Sequence, residues 1–102
     1  MKEVSLKATI DQLSITLSGE IDSSNADEFF NIVSEAFAKN PVDVQFFCNE
    51  LTFIDSTTLG AFVKLLKRVR GEGKKMRLSE LQPKIKKLFT ICALDKIMEI
   101  DE

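Results

Sequence analysis

Histidine is absent from this chain of 102 residues, and cysteine occurs only twice, as Cys48 and Cys92. Without an imidazole there is no ready general base, and the two thiols lie too far apart in sequence for metal-ligand spacing. Each thiol sits in an apolar neighbourhood, so both are expected to be buried and reduced, in a reducing compartment. No apolar run approaches the roughly eighteen residues that would cross a bilayer. The opening Met1-Lys2-Glu3-Val4 has no apolar leader behind it, which points to a cytoplasmic protein. Strong charge of one sign is also missing: the net charge is −2, which gives no bulk attraction to nucleic acid or to anionic membranes. Gly71-Glu72-Gly73-Lys74 lacks the spacing and the following hydroxyl of a phosphate loop, and Ser56 lacks the Gly-x-Ser-x-Gly elbow of a hydrolase. Repeats, linkers and low-complexity segments are absent too. The expectation is one domain over residues 1–102 with no catalytic residue, no cofactor and no metal.

What is present is a globular composition. Hydrophobic residues make up 44% and charged residues 29%, enough apolar surface for a core without disulfide or metal staples. From Glu3 to Ile10 apolar residues alternate imperfectly, and from Leu13 to Leu17 they alternate cleanly, so an antiparallel hairpin linked at Asp11-Gln12 is predicted. Gly19 is expected to break the second strand, with Ile21 closing its apolar series. Asp22-Ser23-Ser24-Asn25 reads as a helix start, Ser24 and Asp27 resembling a capping box. Ala26, Phe29, Phe30, Val33, Ala36 and Phe37 form one face of that helix, and Asn40-Pro41 ends it.

The segment from Val42 to Cys48 is apolar enough for a strand that is central or covered on both faces, with 49–52 as the loop that follows. A second helix is predicted from about Ser56 to Arg70, stopped by Gly71-Glu72-Gly73. A short strand follows over Lys74–Leu78. A third helix opens near Pro83 with Ile85, Leu88, Phe89 and Cys92 inward, and a last strand uses Ile97, Met98 and Ile100. The order is β-β-α-β-α-β-α-β: an N-terminal β-hairpin whose second strand begins a β-α-β-α-β-α-β run. Short right-handed crossovers make this an α/β fold with a mixed, mostly parallel sheet and packed helices. Lysine and arginine cluster over 64–75 and 84–87, which reads as the solvated faces of two amphipathic helices.

The chain is organised around Phe53-Ile54-Asp55-Ser56-Thr57-Thr58-Leu59-Gly60. Four oxygen-bearing side chains precede Leu59, Phe62, Val63, Leu66 and Val69, which recur with helical spacing. Asp55 or Ser56 serves there as an N-cap. A hydroxyl in that place is also where a phosphate would meet free N–H donors and the positive helix end. Residue chemistry alone leaves both readings open. If their strands are neighbours, Asp22 and Ser56 approach on one edge of the domain.

Leu51-Thr52-Phe53-Ile54-Asp55-Ser56-Thr57 followed by Leu59-Gly60 resembles the signature of the anti-sigma factor antagonists, bacterial members of the STAS domain family. Leu17-Ser18-Gly19-Glu20-Ile21-Asp22 and Pro83-Lys84-Ile85-Lys86-Lys87-Leu88-Phe89 resemble two further family segments, in the same order and spacing. The resemblance implies phosphorylation of Ser56, or less readily Thr57, by an anti-sigma factor serine kinase, with a serine phosphatase to reverse it. It further implies partner switching, in which the bare surface of Asp22, Ser23, Asp55, Ser56, Thr57 and Thr58 docks on the kinase and a sigma factor is released. Asp22 and Asp55 fit equally as turn or cap residues. The family usually has glycine where this chain has Thr58, and many members continue into another helix beyond the position of Glu102. An interaction or scaffold subunit that is not controlled by phosphorylation, stressosome-like or part of a lipid-transport complex, is the alternative. Direct nucleic-acid binding and membrane insertion are not expected.

Overall fold

The structure, a computed structural model, describes residues 1–101, and Glu102 lies outside the described residues. Its elements are β1 Val4–Ala8, β2 Gln12–Ile21, α1 Ala26–Lys39, β3 Asp43–Ile54, α2 Ser56–Gly71, β4 Met76–Ser79, α3 Pro83–Ile91, a 3₁₀ turn Leu94–Lys96 and β5 Glu99–Asp101. The strands pair in sequence order in one sheet. β1 and β2 are antiparallel, and every later pairing is parallel. The expected fold class therefore holds.

Each parallel crossover steps to the next strand in the same direction, so right-handed connections bring all three helices to one face. Four buried rings mark the layer boundary. Phe46 of β3 lies 6.2 Å from Phe29 of α1 and 5.3 Å from Phe62 of α2, centroid to centroid. Phe62 also meets Phe29 at 5.3 Å and Phe89 of α3 at 5.6 Å. β3 is central, but helices cover only one of its faces. Val44, Phe46 and Cys48 are buried beneath them, whereas the alternate Gln45 and Phe47 are only partly covered. The open face is polar, with Arg77 Nε donating to Glu99 Oε2 at 2.7 Å.

Several boundaries differ from the sequence reading, each for a local reason. β3 runs on to Ile54 and takes in residues 49–52, because β2 continues beside it to Ile21. Gly19, with φ +69°, does not end β2. It sits at a register irregularity between Thr16 and Glu20, as a glycine at a bulge does. The hairpin turns one residue earlier than expected: Thr9 N–H donates to the Gln12 carbonyl at 2.9 Å, which leaves Ile10 at the exposed tip. β4 and β5 both start later, at Met76 and Glu99.

The two thiols part company. Cys48 is buried, and that burial, with Glu80 as a lesser cause, pushes its pKa up to about 12. Cys92 is exposed, against expectation, because it is the C-cap of α3 and lies past the last turn that Phe89 anchors. Among the described residues no helix is long and apolar enough to cross a membrane, and no group of His, Cys, Asp or Glu side chains is gathered to hold a metal ion.

Candidate functional site

β2 and β3 end side by side, Ile21 paired with Ile54. Asp22 and Asp55 are the next residues of each chain segment, so both leave the sheet at the carboxyl ends of adjacent parallel strands. Open α/β sheets gather their sites at that edge.

Asp55 is the N-cap of α2 in extended backbone, φ −121° and ψ −174°. Its Oδ1 accepts the Thr58 N–H at 3.0 Å, which satisfies one of the free amides of the helix start. Its Oδ2 accepts the Ser23 N–H at 2.8 Å. One carboxylate thereby ties the turn after β2 to the turn after β3. The Thr58 amide, helped by that of Ser23 and opposed by partial desolvation, holds the Asp55 carboxyl below the usual carboxylate range.

The turn before α1 is closed by different means from those expected. Asp22 Oδ1 accepts the Ser24 amide at 2.9 Å and the Ser24 hydroxyl at 2.6 Å. Ser24 is thus engaged by the aspartate two residues before it and forms no capping box with Asp27. The N-cap of α1 is Asn25, which makes no side-chain cap hydrogen bond. Its amide side chain turns backwards, accepting the Asp22 N–H at 2.8 Å and donating to the Glu20 carbonyl at 3.0 Å. Asn25 thus supports the site, a role beyond the helix start in which the sequence reading placed it. Its position directly before the apolar helical run was the available signal.

Ser56 and Thr57 occupy the first two positions of α2 and are exposed. Among the described residues neither side-chain hydroxyl has a hydrogen-bond partner. Thr58 behaves differently. Expected on the docking surface, it is fully buried and has no surface to offer a partner. Its Oγ1 donates to the Ile21 carbonyl at 2.5 Å and lies 3.1 Å from Asp55 Oδ1. Its backbone is helical, and the non-glycine residues with positive φ are Glu80 and Ala93, so threonine in place of glycine brings no backbone strain here. The surface patch is therefore the exposed Ser23, Ser56 and Thr57 with the half-buried Asp22 and Asp55, and Thr58 lies beneath it. Beside the patch runs a groove of about 340 Å³ lined by Thr52, Phe53, Ile54, Lys84, Ile85 and Leu88, another feature absent from the sequence reading. It joins residues more than thirty positions apart, which no local pattern reveals.

Comparisons with known proteins agree with this architecture. The family model described as STAS domain matches residues 3–102. The chain is 28% identical over 100 residues to the anti-sigma-B factor antagonist of Bacillus subtilis, covering 95% of this chain and 88% of that one. It is 30% identical over 90 residues to the anti-sigma-B factor antagonist of Listeria monocytogenes, covering 88% and 79%. Among solved structures, the Bacillus cell fate determinant SpoIIAA in its phosphorylated form superposes with a TM-score of 0.75 at 21% identity, over 95% of this chain and 89% of that one. An anti-sigma factor antagonist from Mycobacterium paratuberculosis superposes with a TM-score of 0.84 at 16% identity, over 96% and 83%. At those identities the superpositions speak for the fold alone.

Proposed function

The chain belongs to the STAS domain family, and from that premise we propose that it is an anti-sigma factor antagonist switched by phosphorylation of Ser56. It acts as one STAS domain over residues 1–102, a binding protein with no catalytic residue of its own. The bare patch of Asp22, Ser23, Asp55, Ser56 and Thr57 docks on an anti-sigma factor serine kinase, which then lets go of its sigma factor. Transfer of a phosphoryl group to Ser56 Oγ ends the contact, and a serine phosphatase restores it.

The observation that carries this reading is the Ser56 hydroxyl itself. It is exposed, lacks a partner within the described chain, and sits at the positive end of a sixteen-residue helix. Phosphate would add about −1.5 to −2 of charge next to Asp55 and near Asp22. The helix end offsets part of that, on the order of 0.3–1 kcal/mol at an exposed site. The turn is already held by Asp55 through amides that phosphate need not displace, so the fold survives modification. Docking is lost because charge and bulk arrive at the contact.

The test is incubation with the candidate kinase and ATP, read by intact mass, followed by titration of that kinase against bare and phosphorylated protein. One phosphate on Ser56 is expected, with binding on the order of tenfold to a hundredfold weaker afterwards, since an unmatched charge in a contact costs a few kcal/mol. Equal binding of the two forms would overturn the switch and leave the scaffold reading. Phosphate on Ser56→Ala would move the acceptor to Thr57.

A further inference from the structure

Thr58 is β-branched, at the third position of α2, and fully buried. A threonine inside a helix ordinarily turns its hydroxyl back to its own preceding turn. Here Oγ1 lies 3.1 Å from Asp55 Oδ1 in its own helix start and also crosses to another element, donating to the Ile21 carbonyl at 2.5 Å, where β2 ends. Together with the bonds to Asp55 this closes a ring. Thr58 holds Ile21, the single residue Asp22 leads on to Ser23, the Ser23 amide binds Asp55 Oδ2 at 2.8 Å, and Asp55 Oδ1 binds the Thr58 amide at 3.0 Å.

We infer that Thr58 is a positioning residue that fixes the Ser23 turn against the Ser56 turn through its hydroxyl, so that the patch around Ser56 is preformed before any partner arrives. A glycine in this slot would leave a gap in a site with no solvent access and leave the two turns joined by the Asp55 carboxylate alone. A preformed patch avoids the cost of ordering two turns on docking. It also makes phosphorylation a change of charge on a fixed shape. That consequence rests on the proposed role of the Ser56 patch, whereas the coupling of the two turns does not.

The experiment uses the full chain and three substitutions. Thr58→Val removes the hydroxyl at nearly constant shape, Thr58→Ala removes it in a residue that fits wherever threonine does, and Thr58→Ser retains it. Amide exchange by NMR is read at Ser23 and Ser24 relative to Phe46, whose amide in the central strand reports global opening. In Thr58→Val that ratio should rise about tenfold, as loss of one buried hydrogen bond implies. Thr58→Ser should stay close to wild type despite its lost methyl group. If valine does not fold, alanine is held to the same expectations. An unchanged Ser23-to-Phe46 ratio in a folded Thr58→Val or Thr58→Ala protein overturns the inference. So does a serine variant that behaves like valine. None of these readings needs the kinase. If Ser56 fails to accept phosphate, the proposed function falls while exchange still decides the role of Thr58.

Discussion

At the scale of single residues, the site divides its oxygens between holding the turn and leaving two hydroxyls, of Ser56 and Thr57, open. Both oxygens of Asp55 are engaged, by Thr58 and Ser23, while the Ser56 hydroxyl has no intramolecular partner among the described residues. Ser56→Ala should therefore change stability by no more than about 0.5 kcal/mol, bind the kinase and accept no phosphate at that position. Ser56→Asp adds one charge and fewer oxygens than phosphate, so it should weaken binding without matching the phosphorylated form. Melting curves beside a titration check both.

Asp55 makes a prediction in pH. Its carboxyl is held below the usual range when folded, so its contribution is present above the unfolded pKa of about 3.9 and is lost as pH falls through the folded value. Asp55→Asn has no such charge to lose. The gap in melting temperature between wild type and this variant should be widest near neutral pH and narrow below about pH 4. A gap that stays constant down to about pH 2 would contradict the assignment. The cysteines supply a second residue-level test. Cys48 is buried with its pKa near 12, and Cys92 is exposed. At about pH 8 the native protein should alkylate once, at Cys92, and a second time only in denaturant, as read by mass.

At the scale of elements, α2 carries both halves of the design. Its inward side is Leu59, Phe62, Leu65, Leu66 and Val69, and its outward side starts at Ser56. The helical periodicity of the sequence located this helix to within a residue at either end, because a cap and an apolar stripe are local signals. Gly60 is an exception to good helix chemistry: it lies on the exposed side, and a Cβ built there would meet nothing within 4 Å. Gly60→Ala should stabilise the free protein by about 0.4–1 kcal/mol in chemical denaturation, by restricting the unfolded chain and improving helix propensity. Destabilisation would mean that the first turns of α2 are strained in some way these contacts do not show. The β3 boundary was less legible. Residues 49–52 read as a loop because they are mostly polar, yet they pair with the continued β2. Strand pairing is decided by a neighbour that local composition does not reveal.

At the scale of the molecule, one ring holds the layers together. Phe62 touches Phe29, Phe46 and Phe89, and so joins α2 to α1, β3 and α3. Phe62→Ala should cost about 3–5 kcal/mol in denaturant unfolding, with the loss shared by all three helices in one transition. A smaller loss, or separate melting of α3, would show that the helix layer is not one cooperative unit.

The sequence by itself determined the element order, most of each helix face, the hydroxyl-rich helix start and the family resemblance; Cys92, expected inward, is exposed, and Leu65 joins the buried face of α2. All of these depend on spacing along the chain, and residues three or four apart on a helix, or two apart on a strand, sort themselves locally. Only the tertiary structure decided which oxygens of the motif face outward. Asp55, Ser56, Thr57 and Thr58 are consecutive and chemically alike, yet Ser56 and Thr57 are exposed while Thr58 is buried against the Ile21 carbonyl. That division follows from β2 ending beside β3, a pairing between residues more than thirty positions apart. Long-range contact of that kind turned a run of four similar side chains into a cap, two open hydroxyls and a buried tie.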